Sequence, residues 1–180
     1  MKVIRMDKYG GPEVLRLREV VLPEPGPGEV RVGHHAAGVN FVDIYYRRGD
    51  YPAPLPFTPG NEGAGIVESI GEGVEEFKPG DRVAYTLHPG SYAEANIVPA
   101  NLLIPWPDDL SFEQGAAFTL QGLTAHYLIY EYRFPKRGDT VLIHAAAGGM
   151  GLLLVQWAKH LGANVIGTVS SEERSDPRRS

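Results

Sequence analysis

The sequence predicts a β-rich domain followed by the beginning of an α/β domain, and two patterns carry this prediction. Residues 1–100 consist of short β-rich runs separated by glycine and proline turns, a pattern typical of an antiparallel barrel or sandwich. After residue 111 the apolar runs lengthen, and they end in a strand, a glycine-rich turn, a helix and a second strand. That β-α-β order is the building unit of a parallel sheet.

Five strands are predicted in the β-rich part. Two of the turns between them, Pro27-Gly28-Glu29 and Pro79-Gly80-Asp81, combine the fixed φ of proline with a glycine that supplies the positive φ of a type II turn. Arg137-Gly138-Asp139 repeats the form without proline, and each turn precedes a hydrophobic run. The predicted strands are Val14–Leu22, Glu29–Val39, Gly63–Ile70, Asp81–Thr86 and Ser91–Val98.

Helical spacing begins at Ser111, which forms a predicted capping box with Gln114. Gly122 costs this helix about 1 kcal/mol relative to alanine, so a break is expected there. The elements predicted after it are a strand at Thr140–His144, a helix at Gly149–Leu161 that stops at Gly162, and a strand at Asn164–Val169.

Composition excludes several classes of function. Of the 180 residues, 43% are hydrophobic and 22% charged, which suits a packed domain, and the net charge of −5 disfavours binding to nucleic acid. The absence of cysteine excludes disulfides and zinc sites with thiolate ligands. The sequence has neither the apolar core of a secretory signal nor an apolar run long enough for a membrane span, so a cytoplasmic location is expected.

Residues 170–180 are charged and contain no apolar side chain. A single β-α-β unit leaves sheet edges open, although parallel sheets are normally covered on both faces. The chain is therefore expected to be a fragment, a truncated gene product or an alternative ending.

The strongest motif is Ala146-Ala147-Gly148-Gly149-Met150-Gly151. It matches G-x-G-x-x-G with alanine in the first position, follows a predicted strand and opens a predicted helix. Such a turn lets the backbone approach a pyrophosphate and lets the helix pack closely on the strand, and the helix N-terminus offers N–H groups. A plain packing turn is the alternative, but this context favours a dinucleotide site formed by Gly148, Gly149, Met150 and Gly151.

The residues after the second strand favour NADPH over NADH. A site for NADH normally has an acidic residue there, but Thr168–Ser171 contains none. Ser170 and the guanidinium of Arg174 suit a 2′-phosphate. The alternative is a solvated loop, which the adjacent Glu172 and Glu173 favour.

Several segments together resemble the zinc-free quinone oxidoreductases, a family of the medium-chain dehydrogenase/reductase superfamily that includes the zeta-crystallins. The resemblance implies a GroES-like β-barrel catalytic domain at residues 1–125 and the first, incomplete part of a Rossmann NADPH-binding domain at residues 126–180. It also implies an active site in the cleft between them and a homodimer for the full-length form. The segments that carry it are GVNFVDIYYRRGDYP (38–52), PGNEGAGIVESIGEGVEEFKPGDRVAY (59–85), GSYAEANIVPA (90–100), QGLTAHYL (121–128) and HAAAGGMGLLLVQWAKHLGANVIGTVSS (144–171).

The same resemblance argues against a metal. The zinc-dependent relatives, the alcohol dehydrogenases, have cysteine and histidine at the positions of Asn40 and Asn61, and without a thiolate and an imidazole no tetrahedral zinc site remains. His34 and His35 are adjacent on a predicted strand, so they point to opposite faces and cannot chelate one ion together. No metal is expected.

Three further side chains are assigned to the site through the resemblance. Asn40 would donate its amide to cofactor or substrate, Tyr51 would donate a hydrogen bond or a proton, and Thr124 would contact the nicotinamide end of the cofactor. The alternatives are a turn-capping asparagine, a half-buried loop aromatic and a threonine at a helix kink. Asp43 is interpreted as a helix-start carboxylate and not as a base.

The function implied is reduction of a small quinone by NADPH. An enoyl or enone reductase on the same scaffold is the alternative among enzymes, and it needs a proton donor besides the hydride. A non-catalytic role, as a cofactor-binding, crystallin-like structural or RNA-binding protein, is the alternative from another class.

The residues after the second predicted strand should determine which cofactor binds. We expect NADPH to bind more tightly than NADH, and Arg174→Glu to remove the difference, because a carboxylate repels the 2′-phosphate that a guanidinium attracts. Fluorescence titration of both cofactors measures this. Equal affinities in the parent, or an unchanged preference in the variant, would contradict it.

Overall fold

The computed structural model describes residues 1–171, and the chain forms two compact units that meet in sequence at Leu120 and Gln121. The predicted order of a β-rich region followed by an α/β region is confirmed. The elements of the first unit are β1 (Lys2–Arg5), β2 (Arg16–Glu19), β3 (Glu29–Ala37), α1 (Phe41–Arg48), β4 (Glu62–Ile70), β5 (Arg82–Thr86), β6 (Ala95–Pro99) and β7 (Leu103–Pro105), with 3-10 turns at Pro12–Val14 and Ala100–Leu102.

A five-stranded antiparallel sheet forms the body of the first unit, in the order β6-β3-β4-β5-β7, and β1 pairs with β2 in a separate hairpin. Alternate residues of β3 point inward, as the two-residue period of a strand requires, and Val30 and Val32 are fully buried. The buried apolar residues on this face form one cluster, namely Val30, Val32, Val67, Val74, Phe77, Val83, Tyr85, Val98 and Leu103.

The three glycine turns have the predicted backbone. Gly28, Gly80 and Gly138 have φ of 74°, 95° and 88°. In each turn the N–H of the following residue donates to the carbonyl three residues earlier, at 3.0 or 3.1 Å. A Cβ at any of the three positions would meet nothing within 4 Å, so the backbone conformation, and not crowding, demands glycine.

The predicted break at Gly122 is wrong. Helix α2 (Phe112–His126) begins with the predicted capping box, in which Ser111 N donates to Gln114 Oε1 at 2.8 Å. It passes through Gly122 and then continues as a π-helical turn at Tyr127–Tyr132. Gly122 is buried, and we attribute the unbroken helix to packing that outweighs a propensity cost of about 1 kcal/mol.

The second unit contains the predicted β-α-β arrangement. Strand β8 (Thr140–Ile143) pairs in parallel with β9 (Asn164–Gly167), and α3 (Gly149–His160) connects them. Gly162 has φ of 84° and ends the helical segment as predicted. No helix among residues 1–171 combines the length and the apolar character needed to cross a membrane.

His34 is a polar residue on the inner side of the sheet. Its Nδ1 lies 2.7 Å from the carbonyl oxygen of Ala93, which can only accept, so this nitrogen carries the proton. Its Nε2 accepts from the hydroxyl of Tyr85 at 2.8 Å. Burial lowers the pKa of His34, and the hydrogen bond to Ala93 and the charge of Glu68 oppose that shift. His35 instead is exposed and stacks on Phe112, so the two histidines point to opposite faces as predicted.

A pH-dependent stability follows from His34. Its pKa is lower in the folded state, so below about pH 6.5 the unfolded chain takes up a proton that the folded chain excludes, and stability falls as pH falls. We expect His34→Gln to lose less unfolding free energy than the parent between pH 7.5 and 5. Urea unfolding measures this, with His35→Gln as the matched control. A steeper loss in the His34 variant would contradict the assignment.

Candidate functional site

The start of α1 is organised by Asn40 and Asp43. Asn40 is extended, with φ −127° and ψ 152°, and precedes the first helical residue. Its backbone N–H donates to Asp43 Oδ2 at 2.9 Å. The two residues form a capping box that turns the Asn40 amide oxygen toward the N–H of Asp43, although that N–H makes its 3.1 Å hydrogen bond with the backbone carbonyl of Asn40.

Asp43 is buried and accepts hydrogen bonds from two further side chains. Asn61 Nδ2 donates to Oδ1 at 2.9 Å, and the Tyr92 hydroxyl donates to Oδ2 at 2.9 Å. Burial, and then the charge and hydrogen bond of Asp43, raise the pKa of Tyr92, so its hydroxyl stays protonated and remains a donor. Asp43 therefore ties α1 to the chain before β4 and to the loop before β6.

Glu62, the first residue of β4, is 1% exposed and accepts three hydrogen bonds. Thr119 Oγ1 and the backbone N–H of Leu120, both in α2, donate to its Oε1 at 2.8 and 2.6 Å. Asn40 Nδ2 donates to its Oε2 at 2.9 Å. The carboxylate thus connects the start of α1, β4 and α2. We call the four residues Asn40, Glu62, Thr119 and Leu120 the Glu62 cluster.

Small residues allow these elements to come together. A Cβ on Gly38 would lie 2.2 Å from the Ala116 carbonyl oxygen and 2.3 Å from Glu62 Oε2. A Cβ on Gly115 would lie 2.9 Å from that of Ala64. Both positions are closed to a side chain, so α2 can approach the sheet closely enough to reach Glu62.

Sequence reasoning identified Asn40 but missed Glu62 as its partner, and it missed Thr119 and Leu120 as the other partners of Glu62. The sequence did contain a sign that Glu62 is buried, because Glu62 directly precedes the small and apolar run Gly63-Ala64-Gly65-Ile66-Val67. Glutamate is almost never fully buried unless it is paired. The partners themselves lie 22, 57 and 58 residues away in sequence, beyond the reach of a local pattern.

Tyr51 lies in the aromatic group that follows α1. Its ring centroid is 5.4 Å from that of Tyr45 and 5.8 Å from that of Tyr46, and its side chain is 50% exposed. Its backbone N–H donates to the Tyr45 carbonyl at 3.2 Å. Among residues 1–171 its hydroxyl has no hydrogen-bond partner, and no hydrogen bond links Tyr51 to Asn40.

In the second unit, the glycine turn joins β8 to α3. Gly148 N donates to the Ala145 carbonyl at 2.8 Å, and Leu152 N makes the first intrahelical bond, to Gly148, at 2.8 Å. The N–H groups of Gly149, Met150 and Gly151 consequently have no intrahelical acceptor. N–H groups at the positive end of a helix dipole attract negative charge.

The glycines of this turn have different local roles. A Cβ on Gly151 would lie 2.2 Å from the Ala145 carbonyl oxygen and 2.6 Å from the Ala146 Cα, whereas one on Gly148 meets only the Ala145 oxygen, at 3.2 Å. A Cβ on Gly149 would lie 2.3 Å from Gln121 Oε1, the flexible end of a side chain. Gly151 is therefore required for packing, and the surface at Gly148 is more open.

The left-handed residue of the turn is Ala145, with φ of 52°. None of the motif glycines Gly148, Gly149 and Gly151 has a positive φ. An L-residue in this region costs about 1 kcal/mol. A hydrogen bond to the residue after β9 helps to offset this cost, because Ala146 N donates to the Thr168 carbonyl at 2.9 Å.

The remaining predicted site residues lie apart from the turn in sequence. Thr124 is an exposed residue of α2, and Ser170 is exposed after β9. Arg174 lies outside the described residues. Within residues 1–171, no group of three or more histidine, aspartate and glutamate side chains is arranged to hold a metal ion.

Comparison with known proteins gives one consistent result. Residues 26–108 match the alcohol dehydrogenase GroES-like domain, which confirms the predicted fold of the first unit. The chain is 52% identical over 97% of its length to a quinone oxidoreductase of Pseudomonas aeruginosa, and 47% identical over 96% to a 2-haloacrylate reductase of a Burkholderia species. It covers 54% of each of these proteins.

A solved structure of a quinone oxidoreductase is also similar to this chain. The Escherichia coli quinone oxidoreductase complexed with NADPH is 44% identical and superposes with a TM-score of 0.93, over 97% of this chain and 54% of that one. The chain thus spans about half the length of the curated relatives that it matches.

The difference between Gly148 and Gly151 is testable. We expect Gly151→Ala to destabilise the second unit by about 3 kcal/mol, because its methyl group would overlap backbone atoms that cannot move alone. Gly148→Ala, the matched control, should cost about 1 kcal/mol. Hydrogen exchange of the β8 and β9 amides measures both. Equal protection in the two variants would refute the separation of roles.

Proposed function

We propose that the chain belongs to the quinone oxidoreductases of the medium-chain dehydrogenase/reductase superfamily, which its sequence resembles, and that it forms part of an enzyme that reduces quinones with NADPH and without a metal ion. The observation that carries the proposal is the turn at Gly148–Gly151, which follows a parallel strand and opens a helix whose first N–H groups have no acceptor within the helix.

The geometry of the turn fits a dinucleotide. The N–H groups of Gly149, Met150 and Gly151 are donors for a pyrophosphate, and the open surface at Gly148 allows the close approach that such a group needs. We assign Ser170 and Arg174 to the 2′-phosphate and Thr124 to the nicotinamide end. When bound, NADPH supplies the hydride, and the protein contributes orientation and polarisation.

We propose Asn40 as a polar side chain that contacts the cofactor or the substrate being reduced. Its amide nitrogen has two hydrogens, and Glu62 takes one of them. The other can donate to a carbonyl oxygen of cofactor or substrate, where negative charge develops as a quinone is reduced. Tyr51, whose hydroxyl is not engaged by residues 1–171, is the second proposed donor.

The donor pattern around Asn40 and Asn61 disfavours a cation. Both side-chain amides present N–H groups to carboxylates, Asn40 to Glu62 and Asn61 to Asp43. The carboxylate oxygens that could bind a metal are occupied as hydrogen-bond acceptors. Amide N–H groups themselves are not metal ligands, so the residues present do not form a zinc site.

Reduction of an activated carbon–carbon double bond is the second candidate. A relative named 2-haloacrylate reductase, 47% identical to this chain, favours it. Such a reaction needs a proton as well as a hydride, and Tyr51 can supply one from its hydroxyl.

The test is NADPH oxidation by the enzyme of which this chain forms part, with a panel of quinones and 2-enoic acid derivatives. We expect faster turnover with quinones, and Asn40→Ala should lower kcat/KM about tenfold through the loss of one hydrogen bond to the developing charge. Tyr45→Phe is the control, since that change keeps the aromatic ring and removes a hydroxyl that is not a proposed donor.

Other outcomes separate the candidates. Preference for the enoic substrates, with a strong loss in Tyr51→Phe, would establish the second candidate. NADPH binding without turnover of either class would indicate a non-catalytic cofactor-binding protein and refute both.

A further inference from the structure

We propose that Glu62 is a positioning residue of this site, because its buried carboxylate sets the orientation of the Asn40 amide and so determines which N–H group Asn40 can offer to a ligand. The role in turnover rests on the proposed function. The orientation itself rests only on the contacts of the Glu62 cluster, and it can be measured separately.

The contact with Glu62 fixes the orientation of the Asn40 amide, and the geometry at the start of α1 is compatible with it. Glu62 Oε2, 2.9 Å from Asn40 Nδ2, accepts at this contact, so the nitrogen faces the carboxylate. At the other end, the capping box turns the amide oxygen toward the N–H of Asp43 at the start of α1. The two constraints agree. A flipped amide would place its oxygen against a carboxylate oxygen and its nitrogen against an N–H donor.

Glu62 is itself held firmly. Its Oε1 receives the Thr119 hydroxyl and the Leu120 N–H, both from α2, and the residue is 1% exposed. Hydrogen bonds to an anionic acceptor are roughly twice as strong as neutral ones. The Thr119 side chain is also buried, so the carboxylate has little freedom to rotate away from Asn40.

The polar atoms of the Asn40 amide consequently have different partners. One hydrogen of Nδ2 is committed to Glu62, and the amide oxygen faces the helix start. The second hydrogen remains, and Asn40 itself is only half buried. Asn40 therefore acts as a single, directed N–H donor, and a ligand that it recognises must present an acceptor such as a carbonyl oxygen.

Glu62→Gln tests this with almost no change in shape. The glutamine oxygen can still accept from Thr119 and Leu120, but its NH₂ group then replaces Oε2 and faces Asn40. We expect the Asn40 amide to turn over and present its oxygen inward. Two readouts follow: altered ¹⁵N and ¹H signals of the Asn40 side-chain amide, and a kcat/KM about tenfold lower for quinone reduction. Glu68→Gln, an exposed residue on the same strand that pairs with Arg31, is the control and should change neither.

A second substitution separates positioning from stability. In the variant with both Glu62→Gln and Asn40→Asp, the new carboxylate accepts from the glutamine NH₂ group, so the hydrogen bond re-forms with reversed polarity. We expect thermal stability to recover while turnover does not, because no N–H donor is left at residue 40. Recovery of turnover in the double variant would overturn the proposal.

If Glu62→Gln fails to fold, Thr119→Val serves in its place. It removes one donor from Oε1 with little change in volume, and we expect altered Asn40 amide signals and about threefold lower kcat/KM. Unchanged Asn40 signals in whichever variant folds would overturn the positioning role. A parent protein that reduces no quinone would instead refute the proposed function, and the amide signals would still decide the orientation.

Discussion

Burial of the Glu62 carboxylate constrains the first unit more than any other single interaction. A charge removed from water must be compensated by hydrogen bonds, or its burial costs several kcal/mol. No cation contacts Glu62 within residues 1–171, so the compensation comes from three N–H and O–H donors on α1 and α2. These helices must therefore meet β4 at one point, and the absence of side chains at Gly38 and Gly115 makes that approach sterically possible.

The same constraint explains how the unit accommodates two buried carboxylates. Asp43 and Glu62 each accept three hydrogen bonds, and in each case one donor is an asparagine side chain. An asparagine amide is neutral and directional, so it satisfies a carboxylate only in one orientation. The result is a polar arrangement in which Glu62 and the start of α1 set the direction of the remaining N–H of Asn40. Such preorganisation is what the proposed role of Asn40 requires.

Local features of the fold were predictable from sequence, and features set by distant partners were not. The turns at Gly28, Gly80 and Gly138 and the β-α-β unit depend on φ preference and on short-range periodicity, and the structure has them as predicted. Gly122 was misjudged because helix propensity is a local quantity and burial is not. Asn40 could be singled out by resemblance, but the role of Glu62 depends on α2 residues 57 and 58 positions away.

The glycine turn illustrates a subtler limit of motif reading. The motif correctly indicates a close approach, and Gly151 supplies it, but the left-handed conformation belongs to Ala145. Glycine at position 145 would relieve about 1 kcal/mol of strain in the folded state, yet it would also give the unfolded chain more conformations, which costs a comparable amount on folding. The two effects nearly offset each other. Alanine is therefore tolerated at a position whose φ favours glycine, provided that the hydrogen bonds closing the turn hold the backbone there.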